Sequence, residues 1–154
     1  MKESVLHLGF LAVFLLLSVQ PAIASSPVIV GEISGVEVCA QQVGCDAAVF
    51  TGTCDCRVNN RHTLGFFWVA VQHDSLPKSF DSAAIFGGKW NLTTLRGSFS
   101  GRVLEGNIFN NGDDTFTITV RLRVRRGGSG DVLVSGVLSH DDFPPTFDGE
   151  LVQP

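Results

Sequence analysis

The chain has 154 residues, of which 17% are charged and 44% hydrophobic, and its formal net charge is −4 at pH 7. An acidic balance provides no long-range attraction for nucleic acid, so a nucleic-acid-binding function is not expected. Beyond residue 24, short apolar runs alternate with Gly, Asn, Asp and Pro, and no sustained helical period is present. This pattern predicts an all-β fold.

The first 24 residues have the features of a secretory signal sequence. Lys2 precedes an apolar run from Val5 to Val19, and Ala22-Ile23-Ala24 supplies small residues before a cleavage point. Because about 20 apolar residues are needed to span a bilayer, this run is short for a membrane anchor. We therefore predict cleavage after Ala24, a secreted or periplasmic location, and no membrane span in the remaining chain. Residues 25–154 are long enough for a single all-β domain with its own core.

All four cysteines lie near the start of the predicted mature chain, at Cys39, Cys45, Cys54 and Cys56. An even number of cysteines in an exported chain predicts two structural disulfides, which would link the N-terminal segment 39–56. Cys54 and Cys56 face the same side of a strand, a geometry expected to disfavour a bond between them. The expected pairings are therefore 39–56 with 45–54, or 39–54 with 45–56. No metal is predicted, since the paired C-x-x-C spacing of zinc and redox sites is missing.

The first half of the mature chain reads as four strands. They are expected at Val28–Cys39, Asp46–Arg57, Thr63–His73 and Ala83–Leu95. The second is either one bent strand or a strand pair. The third is apolar on both faces, which predicts a central strand covered on both sides or a strand at an oligomer contact. The polar loop Asp74–Asp81 is a candidate lid or rim. Asn91-Leu92-Thr93 is an N-glycosylation sequon, which matters only in a source that glycosylates.

The clearest pattern lies between Gly97 and Leu138, which reads as three antiparallel strands joined by two turns. In the middle strand, apolar side chains alternate with threonine and then arginine, so one face is buried and the other solvated. The buried face comprises Phe116, Ile118, Val120, Leu122 and Val124. The turns are Asn110–Asp114 and Gly127–Gly130, because Asn and Gly tolerate the positive φ of tight hairpins. A last strand is expected at Thr146–Val152.

About eight strands at a spacing of roughly 8–12 residues predict a single antiparallel barrel, with a β-sandwich as the alternative. A small outer-membrane barrel is disfavoured, because aromatic girdles are missing and polar residues interrupt the first strands. The G-x-F-x-G segment Gly97–Gly101 and the glycine-rich hairpins resemble those of small lipocalin-type and allene-oxide-cyclase-type barrels. The resemblance implies a barrel fold and carries over no functional residue.

A hollow barrel would place a ligand site inside, lined by aromatic side chains. The residues expected to line it are Phe66, Trp68, Trp90, Phe99 and Phe116. The leading hypothesis is therefore a non-enzymatic exported module that binds a small apolar ligand or a surface partner, and a homo-oligomer is compatible with it. If side chains fill the interior, a structural or adhesion module is expected instead.

A small barrel enzyme (a cyclase, isomerase or hydrolase) is the first alternative. His140, Asp141 and Asp142 end a predicted strand, where a histidine can act as a base beside carboxylates. His62 and His73 lie near the ends of another strand and are candidate neighbours of this cluster. Turn formation is the plainer interpretation. No nucleophile, phosphate-loop, dinucleotide or calcium-loop motif is present, so no catalytic residue, cofactor or metal is assigned.

Anionic-polymer binding is the second alternative. Arg121, Arg123 and Arg125 lie about 7 Å apart on one strand face, which suits a repeating anion. The plainer interpretation is a solvated outer face whose charge guards a strand edge against pairing. Acidic residues on other strands are expected to neutralise it, namely Glu105, Asp131 and Glu150.

Overall fold

The structure, a computed structural model, describes residues 27–39, 47–74, 76 and 80–154, without the side chains of Cys39 and Ala47. The predicted signal sequence of residues 1–24, the cysteine at position 45 and part of the loop at 74–81 lie outside the described residues. Within the described part, the chain is all-β, and it contains no helix long and apolar enough to cross a membrane.

Eight strands follow one another along the chain, and they confirm the predicted strands with small shifts at the ends. They are β1 (Ile29–Cys39), β2 (Ala47–Val58), β3 (Arg61–His73), β4 (Ser82–Thr94), β5 (Gly97–Asn110), β6 (Thr115–Arg126), β7 (Asp131–Ser139) and β8 (Thr146–Val152). The second element is one long strand rather than a strand pair.

The eight strands form a closed barrel, which confirms the predicted fold and rejects the sandwich. Each strand pairs antiparallel with the next, and β8 pairs with β1 to close the ring. Closure leaves no free strand edge in the barrel. The arginine face of β6 therefore does not serve to guard an edge, because β6 pairs with β5 on one side and β7 on the other.

Side chains from one face of every strand pack together to form the core inside the barrel. On β6 the predicted alternation is confirmed, since Ile118, Val120, Leu122 and Val124 are buried while the arginines between them are exposed. Phe116, at the start of the same face, is partly buried and packs against the core. Burying one such apolar side chain stabilises the fold by roughly 1.5–3 kcal/mol, so this filled interior is the main source of stability.

Cys54 and Cys56 on β2 form a disulfide-like contact, which contradicts both predicted cross-pairings. The two side chains point into the barrel and are fully buried. Their Cα atoms are 5.5 Å apart. This separation lies inside the usual range for disulfides, about 4.4–6.8 Å. The sequence argument assumed the spacing of about 7 Å between alternate residues of a regular strand. These two Cα atoms are closer than that, within bridging distance.

The hairpin between β5 and β6 confirms the predicted turn. Gly112 has a φ of 86° and Asp114 a φ of 58°, both in the left-handed region. The Thr115 hydroxyl donates a 2.6 Å hydrogen bond to the Asp113 carboxylate. This bond is the main cause of a lowered pKa for Asp113. The Asp113 side chain is therefore accounted for by turn formation.

Candidate functional site

Two small cavities lie inside the described part of the barrel, and both are lined by apolar side chains. Each has a volume of about 20 Å³. They share Ile33, Phe67, Val69, Leu122 and Val134 as lining residues. A cavity needs about 10–15 Å³ to hold one water, whereas pockets for small-molecule ligands measure roughly 300–1,000 Å³. Neither cavity therefore has room for an apolar ligand, and the barrel is filled rather than hollow.

The five aromatic residues predicted to line a ligand site are divided between the two faces of the wall. Trp90 and Phe99 lie in the interior, and the Trp90 Nε1–H donates a 3.1 Å hydrogen bond to the Arg123 carbonyl. The interior placement of Phe66 and Trp68 is wrong, because both side chains lie on the outer face. The sequence could not assign their direction, since β3 is apolar on both faces and its inward positions are occupied by their neighbours.

Leu64, Phe66 and Trp68 form an apolar row on the outer face of β3, which we call the aromatic stripe. Their exposed fractions are 61%, 72% and 41%. Alternate residues on a strand are about 7 Å apart, so the two rings follow one line along the barrel wall. The prediction that β3 is covered on both sides is therefore wrong for the described part of the chain. Contiguous exposed apolar surface of this kind commonly marks an interaction site.

Neutral hydrogen-bonding side chains flank the two rings of the aromatic stripe. The residues directly opposite are Thr51 and Thr53 on β2, and Asn91 and Thr93 on β4. Side chains in such positions lie about 4.5–5.5 Å apart at Cβ. The Thr93 hydroxyl donates a 3.1 Å hydrogen bond to the Asn91 side-chain oxygen, so the glycosylation sequon lies beside Trp68. Hydroxyl and amide groups thus border the exposed rings on both sides.

His140 pairs with Glu37 at one rim of the barrel. Its Nε2 lies 3.2 Å from the Glu37 carboxylate, and its ring centre lies 4.9 Å from that of Phe116. Asp141 and Asp142 are exposed, and the backbone N–H of Asp141 donates to the Ser139 hydroxyl as part of the turn. Glu37 was missed by the sequence reasoning. It lies 103 residues away in the chain and comes into contact only through the closure of β1 on β8.

The other two histidines among the described residues, His62 and His73, have separate partners. His62 Nε2 lies 2.7 Å from the Asp55 carboxylate, and His73 Nδ1 lies 2.7 Å from the Asp74 carbonyl oxygen. Within the described residues, no hydrogen bond joins His62, His73 and His140, and no group of three metal-binding side chains is present. The structure thus does not bring the predicted histidine cluster together.

Two of the three ladder arginines on β6 are engaged by carboxylates. Arg121 Nη2 lies 2.7 Å from Glu105, and Arg123 is hydrogen-bonded to Asp131. The hydrogen bond that Arg123 donates to the Asp131 carboxylate, together with the negative charge of that carboxylate, raises the pKa of Arg123. The expected contribution of Glu150 is wrong, because this residue lies on β8, which pairs with β7 and β1 rather than with β6. Partial neutralisation across strands is therefore confirmed for Glu105 and Asp131.

Comparison with protein-family models, with curated proteins and with solved structures finds no match for this chain. The choice among candidate sites therefore depends on geometry. The interior is filled, the rim histidine is held by Glu37, and two ladder arginines are ion-paired. Other large apolar side chains are also exposed, among them Phe86, Leu95 and Phe143, but they lie on other elements. The aromatic stripe places two exposed rings at alternate positions of one strand.

Proposed function

We propose that the protein is an exported, non-enzymatic binding module that recognises a neutral polysaccharide chain with the aromatic stripe on the outer wall of its barrel. The observation that carries this proposal is the exposure of Phe66 and Trp68 in line on β3, at 72% and 41%. Exposing these rings to water is unfavourable unless a partner covers them. Export is part of the proposal and rests on the N-terminal sequence pattern.

The chemistry of a sugar ring fits both components of this surface. One face of a pyranose consists of C–H groups, and its rim carries hydroxyl groups. The face of an aromatic ring is negative and attracts the weakly positive C–H groups that stack on it. The flanking hydroxyl and amide groups can both donate to and accept from sugar hydroxyls. Two rings about 7 Å apart on one strand would contact neighbouring units of one chain.

The charge pattern favours a neutral polymer over an anionic one at this surface. Phe66 and Trp68 are opposed only by neutral side chains on β2 and β4. The charged side chain opposite the stripe is Asp55, across from Leu64, and a carboxylate repels polyanions. On the arginine face, Glu105 and Asp131 already occupy Arg121 and Arg123. An anionic polymer would have to displace these pairs before it could bind there.

Replacing both rings by serine should weaken polysaccharide binding. We expect Phe66→Ser/Trp68→Ser to bind soluble β-1,4- and β-1,3-glucans roughly 5- to 150-fold more weakly than the wild type. Each stacked ring contributes about 0.5–1.5 kcal/mol, and about 1.4 kcal/mol corresponds to a factor of ten. Affinity electrophoresis in gels containing each glucan measures the effect as lost retardation. Because both side chains lie on the outer face, the variant is expected to fold.

Phe109→Ser is the matched control, since Phe109 is an exposed aromatic residue on β5, away from the aromatic stripe. This variant should be retarded like the wild type. Two results would overturn the proposal: a wild-type protein that no neutral glucan retards, or a double variant that is retarded as strongly as the wild type. A protein partner that binds the wild type but not the double variant, in the absence of glucan binding, would replace the polysaccharide as the ligand.

A further inference from the structure

Three exposed carboxylates lie directly opposite one another on neighbouring strands, and we call them the acidic row. Glu32 on β1 is paired with Glu150 on β8 and with Asp55 on β2. Asp55 also contacts His62, whereas Glu32 and Glu150 form no ion pair within the described residues. The row borders a surface groove of about 470 Å³, which Arg57 and His62 also line.

Three exposed cations are arranged in the same way elsewhere on the wall, and we call them the basic row. Arg102 on β5 is paired with Lys89 on β4 and with Arg123 on β6. Arg123 forms a hydrogen-bonded ion pair with Asp131. Lys89 and Arg102 form no ion pair in the part of the chain that the structure describes. Like charges placed directly opposite each other destabilise a sheet, so each row costs stability in an isolated molecule.

Barrel topology places the two rows on opposite sides of the molecule. The acidic row is centred on β1 and the basic row on β5. In the closed order β1 to β8, these two strands are four strands apart in either direction. Each row covers three strands, which corresponds to about 10 Å at a strand spacing of roughly 4.8 Å. The two surfaces therefore match in length and are opposite in charge.

We infer that the protein associates with further copies of itself, with the basic row of one copy seated against the acidic row of the next. Each copy then supplies countercharges for the members of the rows without an ion pair in the described residues, Glu32 and Glu150 on one side and Lys89 and Arg102 on the other. The groove beside the acidic row gives the contact a concave side. Because the two surfaces differ, the contact is heterologous. Because they face opposite directions, it leads to an open chain of copies rather than a closed dimer.

The inference does not depend on the proposed polysaccharide binding. The aromatic stripe lies on β3, which belongs to neither row. Asp55 of the acidic row lies opposite Leu64 at one end of the stripe, whereas Phe66 and Trp68 are opposite residues outside both rows. Each copy in such a chain would keep its stripe, so the assembly would present several stripes to one polymer and bind it with increased avidity. A variant that no longer self-associates should still bind glucan at a single stripe. A variant that no longer binds glucan should still self-associate.

Sedimentation of the mature protein tests the inference. At about 0.01 M salt, where charges act over roughly 30 Å, we expect the average mass of the wild type to rise with protein concentration. At about 1 M salt, where the range falls to roughly 3 Å, we expect a monomer. Two reversal variants, Lys89→Glu/Arg102→Glu and Glu32→Lys/Glu150→Lys, should each show an association constant at least tenfold lower at low salt.

Mixing the two reversal variants gives the most decisive test. Lys89→Glu/Arg102→Glu presents acidic side chains on both sides of the barrel, and Glu32→Lys/Glu150→Lys presents basic side chains on both sides. We expect the equimolar mixture to associate at low salt although neither variant does so alone. Arg61→Glu/Arg126→Glu changes the net charge as much as the first reversal, at the ends of β3 and β6 and outside both rows, and should associate like the wild type. A wild type that stays monomeric at low salt, reversal variants that associate normally, or a monomeric mixture would each overturn the inference.

Discussion

We expect Leu122→Ala to lower the free energy of unfolding by about 2–5 kcal/mol, the usual cost of emptying a packed leucine site. Leu122 is only 2% exposed, and it lines both interior cavities. Removing its side chain would join the two cavities into one larger apolar space, which adds the cost of an unfilled volume to the lost burial. Urea unfolding of the wild type and the variant measures the difference.

Leu133→Ala provides the control, since Leu133 lies on the adjacent strand β7, faces outward and is 49% exposed. Its effect should stay within about 0.5 kcal/mol. The enlarged cavity of Leu122→Ala should also bind benzene and gain stability from it, because apolar cavities stay dry and accept apolar guests. If Leu122→Ala lowers the free energy of unfolding no more than Leu133→Ala does, the interior is loosely packed and the account is contradicted.

We expect Gly52→Ala to lower the free energy of unfolding by about 1–3 kcal/mol, the usual cost of overpacking. Gly52 on β2 lies directly opposite Gly35 on β1, and both face the barrel interior. A Cβ atom at Gly52 would overlap the backbone carbonyl oxygen of Ser34 and the Cα of Gly35. Backbone atoms cannot swing aside as a flexible side chain can, so the two strands would have to separate locally.

Thermal unfolding of Gly52→Ala and of Thr53→Ala compares this position with its exposed neighbour on the same strand. The Thr53 variant should unfold within about 0.5 kcal/mol of the wild type, as surface substitutions usually do. An unchanged unfolding temperature for Gly52→Ala would mean that β1 and β2 do not approach as closely as the structure shows.

Most of the barrel could be predicted from local patterns. The alternation of apolar and polar residues along β6 predicted which of its faces is buried and which is solvated. Successive side chains of a strand point to opposite faces, so a strand with one solvated face has a polarity pattern that repeats every two residues. The turns at Asn110–Asp114 and Gly127–Gly130 followed from residues that tolerate positive φ. These signals are local in the chain, and their repetition at short intervals left few architectures besides a barrel or a sandwich.

The candidate sites were less predictable, since each depends on relations between distant strands. The sequence did not indicate whether the side chains of Phe66 and Trp68 point into the barrel or toward solvent. When both faces of a strand are apolar, the pattern does not distinguish the inner face from the outer one. The His140–Glu37 contact joins residues 103 positions apart and requires the closure of β8 on β1. Each charged row forms only because three neighbouring strands pair in one particular register. The sequence of a single strand carries no information about that register.

Recognition on the outer wall of a filled barrel is tested most directly by native mass spectrometry of the mature protein. The protein would be incubated with a mixture of neutral glucan oligosaccharides and, separately, with palmitate as an apolar ligand. We expect oligosaccharide adducts on the wild type, none on Phe66→Ser/Trp68→Ser, and no palmitate adduct on either, because each interior cavity is about 20 Å³. A one-to-one palmitate complex on both proteins, without oligosaccharide adducts, would contradict this account and place the site inside the barrel.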